Sequence, residues 1–304
     1  MTTSSPSVQI ETDAPISTWF GVGGRADRLA RPINVEQLIE CVHLDPDLRV
    51  LGDGANLLVD DAGVRELVVD LSQGVFRDVA FEEESGRVFV GAGYRLPQLI
   101  NECVRRGLGG LEALAGIPAS VGGAVIMNAG GAFGEVGDSV ARVHALDRAG
   151  REHAYSRSQI DFGYRRSRLN HLIIYGVEFT LTHGDPAALR EELKQRMAYK
   201  AQTQPLGSDS AGCVFKNPTL TEAIDGVGER GERVSAGMLI DKAGLKGERV
   251  GGAHVSDRHA NFIVTDDGAS ARDVIELIDV VRARVLEAFG VELEREVVIW
   301  GRTG

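Results

Sequence analysis

The chain has 304 residues, and acidic side chains outnumber basic ones 44 to 33, for a formal charge of −11. That balance argues against general nucleic-acid or anionic-membrane binding, which need clustered Lys and Arg, but allows a local basic pocket for one small anion. Apolar residues at 43% and charged residues at 25% are ordinary for a folded protein, and the length calls for two or three domains.

Met1 to Ile10 is Ser/Thr-rich, with neither a basic start nor an apolar core, and does not read as a signal peptide. Residues 35–44 have apolar positions at helical spacing, and a short apolar segment, Arg49 to Leu51, leads into the turn Gly52-Asp53-Gly54. Leu67 to Leu71 and Arg87 to Val90 read as strands, and the acidic run Glu82-Glu83-Glu84-Ser85 between them as a solvated hairpin tip. Residues 96–106 look helical and stop at Gly107. Strands follow at Val140 to Asp147 and Leu172 to Leu181, with a short helix over Ser156 to Ile160. A helix opens at Pro186 and runs to 202, and residues 204–207 read as a linker. The strongest helix is 271–289: Ser270 caps it, Asp273 completes the cap, and Val274, Leu277, Ile278, Val281, Val285 and Phe289 form one face before Gly290. Leu293 to Trp300 is a final strand. The pattern is α+β, without internal repeats.

No apolar run approaches the ~18 residues of a membrane span. Cys41, Cys103 and Cys213 are odd in number, far apart and without metal-ligand spacing, which fits a reducing cytoplasm and no bound metal.

Glycine is the outlier, with 38 residues in the chain and clusters at 52–54, 107–110, 116–123 and 130–137. Two segments stand out: Gly52-Asp53-Gly54-Ala55-Asn56-Leu57, and Gly116-Ile117-Pro118-Ala119-Ser120-Val121-Gly122-Gly123, which continues to Asn128. Backbone N–H groups in such segments can turn inward together as a nest for diphosphate oxygens, and Asn56, Ser120 and Asn128 add neutral hydrogen-bonding groups. Tight turns would need the same glycines. Neither segment has the Gly-Lys-Ser/Thr of a P-loop or the G-x-G-x-x-G of a strand–turn–helix dinucleotide site.

Taken in order, Thr18-Trp19-Phe20-Gly21-Val22-Gly23-Gly24-Arg25-Ala26, LGDGANLLV from Leu51, GLGGLEALAGIPASVGGAVIMNAG from Gly107, FGYRRS from Phe162, AGCVFKNP from Ala211, SAGMLIDKAGLKG from Ser235, HANFIV from His259 and LEREV from Leu293 resemble the UDP-N-acetylenolpyruvoylglucosamine reductase family. The resemblance covers residues 17–301 in the family's order. It implies an α+β chain with a two-part FAD-binding unit of the vanillyl-alcohol-oxidase type and a C-terminal substrate-binding domain. The expected parts are residues 1–75, completed by the strand in 293–304, then 76–205, then 206–292. FAD would be held non-covalently by Gly52, Gly54, Ala55, Asn56, Leu57, Gly116, Ile117, Pro118, Ala119, Ser120, Gly122, Gly123 and Asn128. Ala55 and Ala119 depart from the Ser and Gly that the family often has there. The short segment from His183 to Asp209 resembles the loop-less type of substrate domain.

The resemblance also implies a two-stroke reaction, in which NADPH reduces FAD and the enolpyruvyl sugar nucleotide is then reduced at its vinyl group. That chemistry needs a cation at the substrate carboxylate, an acid near the enolate-like centre and a proton donor at carbon. Arg165 is the implied cation, its planar fork matching a carboxylate; Arg166 reads as a surface residue. Residue spacing leaves Glu294 and Glu296 as equals, and the family's Glu-Val match selects Glu296. Its carboxyl would help only in the protonated form, so a raised pKa is expected in the complex. Cys213 stands where many relatives carry a proton-donating serine; a lone Cys in an apolar stretch is otherwise usually packing. Tyr164, Lys216 and Asn217 are the implied substrate contacts, and His259 reads as scaffolding rather than a metal ligand. A monomer acting on small molecules is expected. The rival readings are another FAD oxidoreductase of the same cofactor fold and a sugar-nucleotide-binding relative without catalysis.

Overall fold

The computed structural model describes residues 7–302; the first six residues of the N-terminal stretch read above, and 303–304, lie outside them. Two compact units emerge. The first comprises the described residues up to Ala14, Ala26–Asp53 and Arg65–Lys200; the second comprises Pro15–Arg25, Gly54–Val64 and the chain from Ala201 onward.

The first unit holds two sheets over one apolar core. Strands β1 (Ile10–Pro15), β2 (Arg25–Ala30), β3 (Arg49–Leu51) and β5 (Val64–Asp70), with β4 (Leu57–Val59) elsewhere, lie in the order β1-β2-β5-β3. Helix α1 (Val35–Leu44) starts at Asn34, whose side chain accepts from Gln37 N. The second sheet is antiparallel, in the order 152–156, 140–146, 173–180, β7 (Arg87–Gly91) and β6 (Val79–Glu82). The exposed acidic run lies at the β6–β7 tip, as its charge suggested. Helix α2 (Leu96–Arg105) buries Leu96, Leu99, Ile100, Cys103 and Val104, and Gly107 follows in the left-handed region at φ +73°.

Leu38 and Leu67, from residues 1–75, share one core with Val88, Val143 and Val177, from residues 76–205. Each sheet needs an apolar partner, and here each serves the other. Helix α4 (Pro186–Thr203) opens at Pro186, and the division between the two units falls after Lys200.

The second unit is built around helix α6 (Ala271–Phe289). Ser270 and Asp273 make reciprocal cap hydrogen bonds, and Gly290 closes the helix at φ +67°. The Asp61 carboxylate accepts from Ala271 N and Arg272 N, at 3.0 Å each, satisfying two more first-turn donors. Val274, Leu277, Ile278, Val281 and Val285 pack with helix α5 (Ala236–Lys242) and the strands 253–255 and 263–265. The final strand is shorter than expected, Val298–Trp300, and pairs in parallel with β4. No described helix is long and apolar enough to cross a membrane.

Candidate functional site

Within the first unit, Gly52 of one glycine-rich segment meets Ser120 of the other. A Cβ on Gly52 would stand 2.5 Å from Ser120 Oγ and would push that hydroxyl aside. Ser120 is nearly buried and caps the short helix α3 (Val121–Ile126), accepting from Gly123 N at 3.3 Å. Val121 N donates to Tyr94 O and Gly122 N to Ala92 O. The N–H groups of Gly122 and Gly123, expected in a diphosphate nest, are therefore engaged within the protein. Gly122 serves packing instead: a Cβ there would stand 3.0 Å from that of Ala92.

The other segment behaves differently. Gly54 is buried at φ +66°, and among the described residues the N–H groups of Asp53, Gly54 and Ala55 donate no hydrogen bond. Consecutive donors left open around a left-handed glycine are the anion-binding arrangement, and they fit the diphosphate of a dinucleotide cofactor.

Helix α3 ends in a Schellman motif. Asn128 takes the left-handed position at φ +43°, its N–H donates to Val125 O, and Ala129 N donates to Ala124 O. The Asn128 side chain is fully buried. Its Nδ2 donates to Gly163 O at 3.0 Å, and its Oδ1 accepts from Gly137 N at 3.0 Å. The amide expected at a cofactor edge is thus enclosed by protein backbone.

Gly163 opens the turn that carries Arg165. Gly163 and Arg166 exchange both backbone hydrogen bonds, at 2.9 and 3.0 Å, leaving Tyr164 and Arg165 as a two-residue loop. Arg165 sits at φ +55°, the left-handed conformation a type II turn demands of its third residue. Its guanidinium lies over the Tyr164 ring, 5.3 Å from the centroid. Arg166 is exposed, as its surface reading held. Ser167, fully buried, donates to Ile126 O at 2.8 Å and so ties the far side of the turn to α3.

In the second unit, the segment around Cys213 runs between two others. Val214 N donates to Asn261 O, and Phe215 pairs with Arg295. Glu296 N and Val297 N both donate to Val214 O, at 2.7 and 3.3 Å. Two residues facing one make a β-bulge, which bends the strand and breaks the side-chain alternation. Val297 is accordingly buried, while Arg295, two residues before it, is exposed. Backbone pairing thus brings Glu296 opposite Val214, beside Cys213. Glu294 separates from its twin: it is mostly exposed and pairs with Lys216 Nζ at 2.5 Å.

Amides hold this arrangement. The buried Asn261 side chain accepts from Phe215 N at 2.9 Å and donates to Phe215 O at 2.8 Å. Asn56 Nδ2 donates to Glu296 O at 3.2 Å. Asn217 Oδ1 accepts from Ala236 N, the first residue of α5. His259 Nδ1 accepts from Asn261 N, and burial pushes its imidazole below the usual range, favouring the neutral form that can accept. Asn261 escaped notice in the sequence because His259, two residues earlier in the same motif, invites the chemical reading. Arg165 belongs to the first unit, Cys213 and Glu296 to the second.

The three thiols differ in setting. Burial pushes the Cys41 and Cys103 thiols up to about 12, whereas Cys213 is only partly buried. At pH 8 native protein should therefore show one rapidly reacting thiol in a chromogenic thiol titration, and three after denaturation. Cys213→Ser should remove the fast one; a second fast equivalent would contradict the assignment.

Comparison with known proteins covers both units. A family model for the UDP-N-acetylenolpyruvoylglucosamine reductase C-terminal domain matches residues 204–300, and one for an FAD binding domain matches 26–155. UDP-N-acetylenolpyruvoylglucosamine reductase of Moorella thermoacetica is 42% identical over 97% of this chain and 94% of its own length. The protein of that name from Heliobacterium modesticaldum is 42% identical over 95% and 88%. The crystal structure of the Thermus caldophilus protein of that kind superposes with a TM-score of 0.81 at 38% identity, covering 96% of this chain and 99% of the other. The fold class is that expected, an FAD-binding unit joined to this family's C-terminal domain.

Proposed function

This chain belongs to the UDP-N-acetylenolpyruvoylglucosamine reductase family, and we propose that it reduces the enolpyruvyl ether of UDP-N-acetyl-3-O-(1-carboxyvinyl)glucosamine to UDP-N-acetylmuramate, with NADPH as reductant. Bound FAD supplies the two-electron carrier between NADPH and the vinyl group. The open N–H groups of Asp53, Gly54 and Ala55 support a diphosphate site there, with Gly52, Asn56 and Leu57 in the same segment; Gly116, Ile117, Pro118, Ala119 and Ser120 are the further cofactor contacts of this reading.

Reduction of the double bond adds a hydride at the CH2 carbon and a proton at the carbon bearing the ether oxygen. The second addition is the chain's own task. Arg165 holds the substrate carboxylate, so that negative charge building on the adjacent carbon is delocalised toward a fixed cation. Glu296, in its protonated form, donates a hydrogen bond to the same developing charge. Cys213 delivers the proton: a thiol, with an ordinary pKa of about 8.5, releases one far more readily than the serine alcohol it replaces. Tyr164, Lys216 and Asn217 place the sugar nucleotide. A monomeric, cytoplasmic enzyme acting only on small molecules completes the reading.

The observation that carries it is the pairing that sets Glu296 opposite Val214, next to Cys213. The test is an anaerobic two-stroke titration of the purified protein. One equivalent of NADPH should bleach the yellow chromophore, and one equivalent of the carboxyvinyl sugar nucleotide should restore it with formation of UDP-N-acetylmuramate. Bleaching without recolouring would point to a different oxidoreductase of this fold; absence of flavin would remove the proposal altogether.

A further inference from the structure

We infer that Asn128 is a positioning residue for Arg165, the cation proposed above to hold the substrate carboxylate. The inference rests on that reading and deepens it.

Asn128 occupies the left-handed position of a Schellman motif at φ +43°. Glycine takes this conformation without strain, so the cap alone would not call for asparagine. What asparagine adds is an amide, and here that amide is fully buried with both ends engaged. Nδ2 donates to Gly163 O, at the first residue of the Arg165 turn, and Oδ1 accepts from Gly137 N.

The other side of the turn is fixed from the same helix end. Ser167, the residue after Arg166, is also fully buried and donates to Ile126 O at 2.8 Å. Residues 126 and 128 thus hold 167 and 163, and the turn between them is pinned at both feet. Arg165 needs this support because its own backbone is in a conformation that side chains with a Cβ rarely adopt. A turn released at Gly163 could relax its third residue toward negative φ, carrying the guanidinium away from a fixed aim. Helix α3 begins at Ser120, against Gly52, so one six-residue element spans from the glycine-rich segment to the arginine turn.

The test compares two ligands of the oxidised holoenzyme by calorimetry: UDP-N-acetylmuramate, which bears the carboxylate, and UDP-N-acetylglucosamine, which lacks it. Asn128→Gly keeps the left-handed backbone while removing the amide, and Asn128→Asp keeps the acceptor for Gly137 N while losing the donor to Gly163 O. Both should raise the Kd of UDP-N-acetylmuramate on the order of tenfold to a hundredfold, a typical effect of misplacing a positioned group, with flavin content unchanged. The Kd of UDP-N-acetylglucosamine should stay within about twofold of the unaltered protein's if orientation alone is disturbed. In an Arg165→Gln background, adding Asn128→Gly should weaken UDP-N-acetylmuramate no further, since the group it positions is gone.

Equal weakening of both ligands, or an effect undiminished by Arg165→Gln, would show a general structural role and overturn the inference. So would unchanged binding in both Asn128 variants. If Arg165→Gln itself leaves UDP-N-acetylmuramate binding intact, the carboxylate reading falls and takes the inference with it. If Arg165→Gln loosens that ligand and the Asn128 variants do not, only the inference falls.

Discussion

Cys213→Ala should stop the second stroke and spare the first. Followed by stopped flow, bleaching by NADPH should keep its rate, because that half of the cycle protonates no carbon. Recolouring by the carboxyvinyl sugar nucleotide should slow by about 10²–10⁴-fold, the range over which a positioned proton donor acts. The size follows from what replaces the thiol. A methyl group has no proton to give, and any water reaching the carbon would have to be positioned afresh. Cys213→Ser should restore much of the rate: the hydroxyl is a weaker acid, yet it sits on the same backbone, held by Val214 N to Asn261 O and by the Val214 carbonyl to Glu296 and Val297. Recolouring at an undiminished rate in Cys213→Ala would end the proposed role and return Cys213 to plain packing.

The same residue shows what a sequence can and cannot convey. Helices α2 and α6 were legible because apolar residues recur at helical spacing and caps stand at their ends, with Ser270 and Asp273 at one end of α6 and Gly290 at the other. Helix α3 was not, since Gly122 and Gly123 in its interior weaken helix propensity and suggest a loop. Its first two N–H groups donate to Tyr94 O and Ala92 O, which lie about 30 residues earlier, so the helix starts from tertiary contacts that its own residues do not announce. Strands β1 and β2 alternate poorly, and β1 is almost wholly exposed, so neither gave a period-2 signal.

Site residues divide along the same line. Arg165, Cys213 and Glu296 came from motif resemblance; their residue types fit the chemistry, but spacing alone left Glu294 and Glu296 equal. The bulge opposite Val214 distinguishes them, and a bulge is a property of two paired strands that neither strand announces alone. Asn56 and Asn128 read as cofactor contacts because an amide near glycines suits a ligand and a backbone equally. Asn56 donates to Glu296 O, and Asn128 to Gly163 O at the start of the turn that carries Arg165, each within its own unit.

Glu296→Ala should slow recolouring by about 10²–10³-fold, the loss typical of removing one donor aimed at developing negative charge. Two variants separate the donor from the charge. Glu296→Gln retains an N–H donor on a side chain of the same length, so it should recover part of the rate that Glu296→Ala loses. Glu296→Asp retains the carboxyl but withdraws it by one methylene, and should fall nearer to Glu296→Ala if reach is what matters. Their pH profiles should also differ in sign-defined ways. A carboxyl donates only while protonated, so the unaltered enzyme loses this contribution as pH rises through the group's pKa in the complex. The glutamine amide donates at every pH, and that part of the fall should be absent from its profile. Bleaching by NADPH should be untouched throughout, since the group acts on the sugar nucleotide. A Glu296→Gln enzyme slower than Glu296→Ala would show that the side chain serves as a negative charge rather than a donor, and would require another acid near Cys213.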